Sequence, residues 1–205
     1  MSNQAQRNLQ QKIATREALL AKSLTEAQKT ARHKCFISFH QADAAEVEKF
    51  IDDFEDAFIP MVLGVSDDDD FIDSSDTDYV MEQIREKYLT NSTVTIVLVG
   101  ACTWARRYVD WEVYSTLRND ENNKRSGLMA ITLPSYARTS NRQLPPRVGD
   151  NVLGDKGDEG YARWWKYPSS ASSLQSIIQQ AFEARTLKPH LINNSRDRKK
   201  YNSSC

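Results

Sequence analysis

Apolar residues in this chain fall into short blocks separated by stretches of helical periodicity, and that alternation is its strongest signal. Lys34-Cys35-Phe36-Ile37-Ser38-Phe39 is β-rich and nearly continuous in its apolarity. So is Thr93 to Val99, which reads Thr-Val-Thr-Ile-Val-Leu-Val. Continuous apolarity suits strands covered on both faces, the environment of a parallel sheet. Phe58 to Val65, Leu128 to Leu133 and Arg163 to Tyr167 predict three further strands. Pro60 cannot donate to a ladder, so the 58–65 strand is expected at an edge or with a break. Residues 163–167 are expected as a last edge strand.

Helical spacing fills the intervals. Val47, Phe50, Ile51 and Phe54 form the apolar face of a helix over roughly 43–56. Val80, Ile84 and Tyr88 line another over 79–89, with Asp76 or Thr77 able to cap it. Gly100 ends the strongest strand, and Thr103 can cap a long helix from Trp104 to about Asn119. Leu174, Ile177, Ile178, Ala181 and Phe182 face inward from a final helix over 169–187. Residues 1–32 read as one basic amphipathic helix with a thin stripe of Leu9, Ile13, Leu20, Leu24 and Ala27. It fits either a helix packed on the domain or an oligomerisation or partner-binding arm. Residues 134–160 are polar, with Pro145-Pro146 and several glycines, and predict a long loop region. The order of elements predicts an α/β fold of three layers, with a central parallel sheet between helices, over residues 33–190. An N-terminal helix over 1–32 precedes it, and a polar tail over 191–205, expected to be disordered, follows it.

Composition narrows the class. Apolar residues are 40% and charged residues 27% of the 205, as in an ordinary water-soluble domain. A formal net charge of −1 gives no electrostatic case for nucleic acid as the main partner. No apolar run is long enough to cross a bilayer, and the N-terminus lacks the apolar core of a signal peptide. Cys35, Cys102 and Cys205 form no close pair, which argues against a disulfide framework and for a cytoplasmic, reducing compartment.

The usual catalytic motifs are missing. There is no glycine-rich phosphate loop and no Gly-x-Ser-x-Gly elbow. His33, His40 and His190 are too scattered for a metal site. The acidic run Asp67 to Asp78 lacks the glycine and distal glutamate of a calcium loop and reads as a solvated loop. Cys102 and His40 both follow strand ends and could meet as nucleophile and base, although Cys102 also reads as a small buried residue. Parallel strands bring a different set to one sheet edge, where open α/β proteins bind ligands. Ser38, Phe39 and His40 end the first strand. Trp104, Arg106, Arg107 and Glu112 follow the Thr93–Val99 strand. One carboxylate, aromatic walls and nearby cations suit a ligand with a flat base, ribose hydroxyls and phosphates. A carboxylate can stabilise an oxocarbenium-like charge, as in glycoside hydrolysis. The alternative is that Glu112 is a solvated helix residue and that Trp104 and Trp111 belong to the core.

Phe36-Ile37-Ser38-Phe39-His40 resembles the first-strand signature of TIR domains. Tyr108-Val109-Asp110-Trp111-Glu112-Val113 resembles their Trp-Cys-x-x-Glu-Leu segment, with Tyr108 and Val109 in place of Trp-Cys. Together with Asp76 to Val80 and Ser92 to Gly100, these pieces resemble the TIR-like proteins of the bacterial Thoeris antiphage system over about 34–133. The resemblance implies a flavodoxin-like fold and cleavage of the nicotinamide–ribose bond of NAD, which is a substrate and not a resident cofactor. It maps the family's catalytic glutamate onto Glu112 and nicotinamide-side contacts near Phe39 and His40. It implies an ADP-ribose-derived messenger, cyclised or conjugated, that activates a separate effector, and leaves a homo-oligomer open. His40 departs from the arginine that many NAD-cleaving members carry. A silent interaction scaffold and a nucleoside N-glycosidic transferase are the competing readings. Phe39 and Trp104 are expected to wall the nicotinamide–ribose end, with Arg106 or Arg107 near the phosphates.

Deleting residues 1–32 is expected to change assembly more than chemistry. Sizing chromatography and an NAD-cleavage assay on the shortened chain check this, and an unfolded product would place the segment in the core.

Overall fold

The computed structural model describes residues 15–16, 19, 32–62, 89–120, 124–152 and 160–205. The chain divides into two units, 1–31 and 32–205. Most of the helix expected over 1–32 lies outside the described residues, as do the acidic loop and residues 79–88.

Five parallel strands form the sheet. They are β1 (Lys34–Ser38), β2 (Ile59–Val62), β3 (Val94–Val99), β4 (Gly127–Thr132) and β5 (Arg163–Trp165). Their order is β2-β1-β3-β4-β5, the flavodoxin-like arrangement. The strand carrying Pro60 is at one edge and the short 163–165 strand at the other, both as anticipated. Among the described residues the helices are α1 (Ala44–Asp53), α2 (Arg107–Leu117), α3 (Pro134–Arg138), α4 (Pro146–Val152) and α5 (Ala171–Leu187).

Strand alternation divides the core into two. Cys35, Ile37, Ile96, Leu98, Met129 and Ile131 point to one face, against Val47 and Phe50 of α1, Phe54 just after it, and Leu174 and Ile178 of α5. Val97, Val99, Leu128 and Ala130 point to the other, against Val109, Val113 and Leu117 of α2, Tyr136 of α3 and Val148 of α4. α5 approaches the sheet so closely at Gly127 that an added Cβ would collide with the Ala181 carbonyl. Its start is fixed by a capping box between Ser170 and Ser173.

Three expectations are corrected. Residues 134–160 contain the helices α3 and α4, each opened by a proline, which is pre-organised for a first helical turn. The cysteines do pair: Cys102 and Cys205 form a disulfide across 103 residues of chain, while Cys35 is buried and free. Residues 191–205 make defined contacts along α2 and α4. Their polar groups bond to buried partners, so polar composition misrepresents them as solvent-seeking.

The anchor of that docking is a buried ion pair. Arg147 Nε donates to Asp110 Oδ1 at 3.0 Å, with side-chain exposures of 0% and 2%. Its other nitrogens donate to Asp110 Oδ2, Asn194 Oδ1 and the Asp197 carbonyl, leaving no guanidinium nitrogen idle. Asn151 bonds in both directions with the backbone of Asn193, and Arg196 grips Asp150 at 2.6 and 2.7 Å. Removing one partner strands the other charge in a dry interior. Arg147→Ala is therefore expected to cost about 3–5 kcal/mol in urea unfolding, and Arg147→Met combined with Asp110→Leu much less.

Candidate functional site

The order β2-β1-β3 makes β1 and β3 the strands where the connection reverses direction, and the crevice beyond their C-terminal ends is the general ligand position in such sheets. Ser38 is the last residue of β1, and alternation turns its side chain to the α2 face. α2 follows β3 through a 3-10 turn at Thr103–Ala105 and carries Glu112 in its second turn. There Ser38 Oγ donates to Glu112 Oε2 at 2.5 Å. Ser38 is fully buried and Glu112 is 7% exposed, so Glu112 is not a solvated helix residue. Burial pushes its carboxyl up to about 8, opposed by the Ser38 hydrogen bond. At neutral pH the resting carboxyl is held largely as the acid, ready to become a carboxylate when a cation lies against it.

A second carboxylate was missed because Asp43 reads only as a helix start. It lies buried at the same edge, accepts from Thr103 Oγ1 at 3.2 Å and overlies Gly100. Any Cβ at Gly100 would collide with it. Burial raises its pKa above the ordinary carboxylate range, while the Thr103 hydroxyl and the Arg106 charge pull it back. Thr103 also accepts from the Gly100 N–H at 2.8 Å. It thus ties the end of β3 to the start of α1, and does not cap α2 as expected. α2 begins after Arg106, which offers no side-chain cap.

The remaining expected residues divide. Phe39 packs against the core on the α1 and α5 face, away from the Ser38 side chain. The half-buried His40 accepts through its carbonyl from Asp43 N–H at 2.7 Å. Arg106 stays at the sheet edge, its Nε donating to the Cys102 carbonyl at 3.4 Å. Arg107 turns elsewhere: it donates to Tyr108 Oη at 2.7 Å and lies over the Tyr108 and Trp111 rings. Trp104 is half-buried, with Lys199 Nζ 5.9 Å from its ring centroid. Among the described residues, Trp104 Nε1 and Arg107 Nε are buried donors with no acceptor. Trp111 donates to the Lys199 carbonyl at 2.8 Å, so the aromatic beside Glu112 serves the tail. Cys102, held in the disulfide, is not a free nucleophile.

A cavity of about 670 Å³ opens at the ends of β4 and β5, lined by Tyr136, Arg142, Trp164 and Tyr167 among others. Glu112 does not line it, and the candidate site rests on the paired side chains at the β1–β3 crevice. Among the described residues, no cluster of three or more His, Cys, Asp or Glu could hold a metal ion, and no helix is long and apolar enough to cross a membrane.

A five-stranded parallel sheet of order 2-1-3-4-5, with Ser38 and Glu112 joined at its point of reversal, defines a TIR-like α/β domain. The family model described as Thoeris protein ThsB, TIR-like domain, matches residues 36–138, and the chain belongs to that family. This makes it a defence-related TIR protein. No curated protein matches the chain.

The raised Glu112 carboxyl has a defined effect on stability. Between about 4.5 and 8 the folded state holds a proton that the unfolded state releases, so the group's contribution is complete below about 4.5 and is lost as pH rises through about 8. Glu112→Gln keeps the neutral shape. It is expected to match the parent near pH 4.5 and to exceed it by on the order of a few kcal/mol at pH 8, measured by urea unfolding across that range.

Proposed function

We propose that this protein cleaves the nicotinamide–ribose bond of NAD, with Glu112 as the catalytic residue. One observation carries the reading: the two segments that resemble the TIR signature meet physically, as the Ser38–Glu112 hydrogen bond at the ligand-binding edge of the sheet. Membership of the Thoeris ThsB TIR-like family supports it. NAD brings a cationic nicotinamide, and departure of that base leaves positive charge on the ribose. A buried carboxyl poised near 8 ionises against such charge, and in a site shielded from water its attraction is strong. Ser38 holds the carboxylate in place. Arg106, at the sheet edge, is the arginine suited to phosphate oxygens, since Arg107 is committed to the Tyr108 and Trp111 rings. Trp104, half-buried, offers a flat face. The product is an ADP-ribose derivative that acts as a diffusible messenger for a separate effector.

The scaffold reading has one observation of its own. Trp104, Arg107 and Trp111 are contacted by residues 199–202, so aromatic surface near Glu112 is already in use. Activity measurements separate the two readings.

Purified protein incubated with NAD, with and without lysate of phage-infected cells, is expected to release nicotinamide, identified by mass. Glu112→Gln is expected to lower turnover on the order of a hundredfold or more with the fold intact by circular dichroism. In the free enzyme, kcat/KM is expected to rise with pH and level off above about 8, as the carboxylate forms. Equal turnover in Glu112→Gln would remove this residue from the chemistry, and a protein that never releases nicotinamide would favour the scaffold. Release of a free base from nucleosides instead would favour the N-glycosidic transferase.

A further inference from the structure

We infer that the Cys102–Cys205 disulfide is a thiol-exchange site that fastens residues 199–205 over the start of the Glu112 helix, so that a dithiol reductant unlatches this segment. The inference takes its functional meaning from the reading above, as regulation of the same site.

Hydrogen bonds and the disulfide hold the strap. Lys199 N–H donates to Asp110 Oδ2 and the Lys199 carbonyl accepts from Trp111 Nε1, both at 2.8 Å. Asn202 Oδ1 accepts from the Arg107 N–H at 2.9 Å. Ser203 N–H donates to the Ala105 carbonyl at 2.9 Å. The disulfide closes the end, with Cα atoms 5.7 Å apart, inside the span such a bond needs. The Asn202 contact has particular weight. The first turn of a helix leaves N–H groups without partners, and α2 has no cap from Arg106. Asn202 supplies one from 95 residues away.

The strap differs from the segment before it. Residues 193–197 are held by the buried Arg147 and Asn151 side chains, which exclude water and do not depend on the disulfide. Residues 200–205 are mostly exposed, and Asn202, Ser203 and Cys205 bear the contacts there. Once the covalent link opens, few buried contacts keep them in place.

The exchange is chemically accessible. Cys205 is exposed and Cys102 half-buried. The remaining cysteine, Cys35, is buried in the core, and burial raises its thiol far above the ordinary range, so it cannot supply the attacking thiolate. An external dithiol must do so. Its thiolate attacks Cys205 Sγ, the S–S bond breaks, and the electron pair leaves on Cys102 Sγ, which takes up a proton. The reductant's second thiolate then attacks the mixed disulfide and expels Cys205 as a thiolate, which is protonated in turn. The protein disulfide gains two electrons and the dithiol is oxidised to its own disulfide.

Thiol counting and amide exchange test this on the full chain, independently of NAD turnover, so failure here and failure of the proposed activity are distinguishable. Alkylation after denaturation without reductant is expected to label one cysteine, Cys35, and after dithiothreitol three. Under native conditions, dithiothreitol is expected to speed exchange at the Arg107 and Ser203 amides by about tenfold or more while Asn193 stays protected. Cys205→Ser is expected to reproduce this without reductant, and reoxidation to reverse it in the parent. Three labelled cysteines without reductant would overturn the proposal. So would unchanged exchange at Arg107 on reduction, or a loss of protection spread equally over the whole domain.

Discussion

The pairing of Arg147 with Asp110 is the constraint on which the geometry of this molecule turns. Asp110 and Glu112 are two positions apart on one helix, about 200° around its axis, so they face opposite ways. Fixing Asp110 against a fully buried guanidinium sets the rotation of α2 and delivers Glu112 to Ser38. The same guanidinium reaches Asn194 and Asp197, so one side chain orients the candidate site and seats the tail. An ion pair so deeply buried adds little net stability over an apolar substitute of the same shape. Its value is geometric, because a cation with every nitrogen engaged strongly restricts the arrangement of its neighbours.

The candidate site owes its chemistry to a related economy. Among the described residues Glu112 has one close partner, a neutral hydroxyl, and no cation beside it. Its charge is therefore costly in the resting protein and becomes favourable when a positive centre arrives. Asp43 is the complementary case. Its carboxyl is spent on the backbone turn at Gly100 and on Thr103, holding the strand ends at a set separation. Two buried carboxyl groups at one sheet edge thus differ in setting, one facing a single hydroxyl and the other tied into a turn.

The sheet was legible because burial on both faces imposes unbroken apolar runs, and Val94 to Val99 admits no other role. Pro60 marked the edge for the same kind of reason, since a missing N–H cannot be hidden in a ladder. Glu112 and Ser38 could be placed at one edge from strand polarity alone. What escaped were long-range polar pairings. Arg147 lies in a segment rich in proline and glycine, where nothing local announces a buried cation. Cys102 and Cys205 are too distant in sequence for spacing to suggest a link. Phe39 looked like a wall of the cleft, yet the two-residue period that turns Ser38 toward Glu112 turns Phe39 to the opposite core. Arg106 and Arg107 could not be told apart until the helix start was known, and a partner of that start, Asn202, lies 95 residues away.

The wide separation of the groups around Arg147 also bears on how the chain reaches this state. Asp110, Arg147, Asn194 and Asp197 come from three distant stretches, so their network closes loops of 37 to 50 residues. Contacts between residues far apart in sequence carry a loop-closure entropy that must be met before they reward the chain. The hub therefore belongs to the non-local share of the fold, the share that slows folding across small domains.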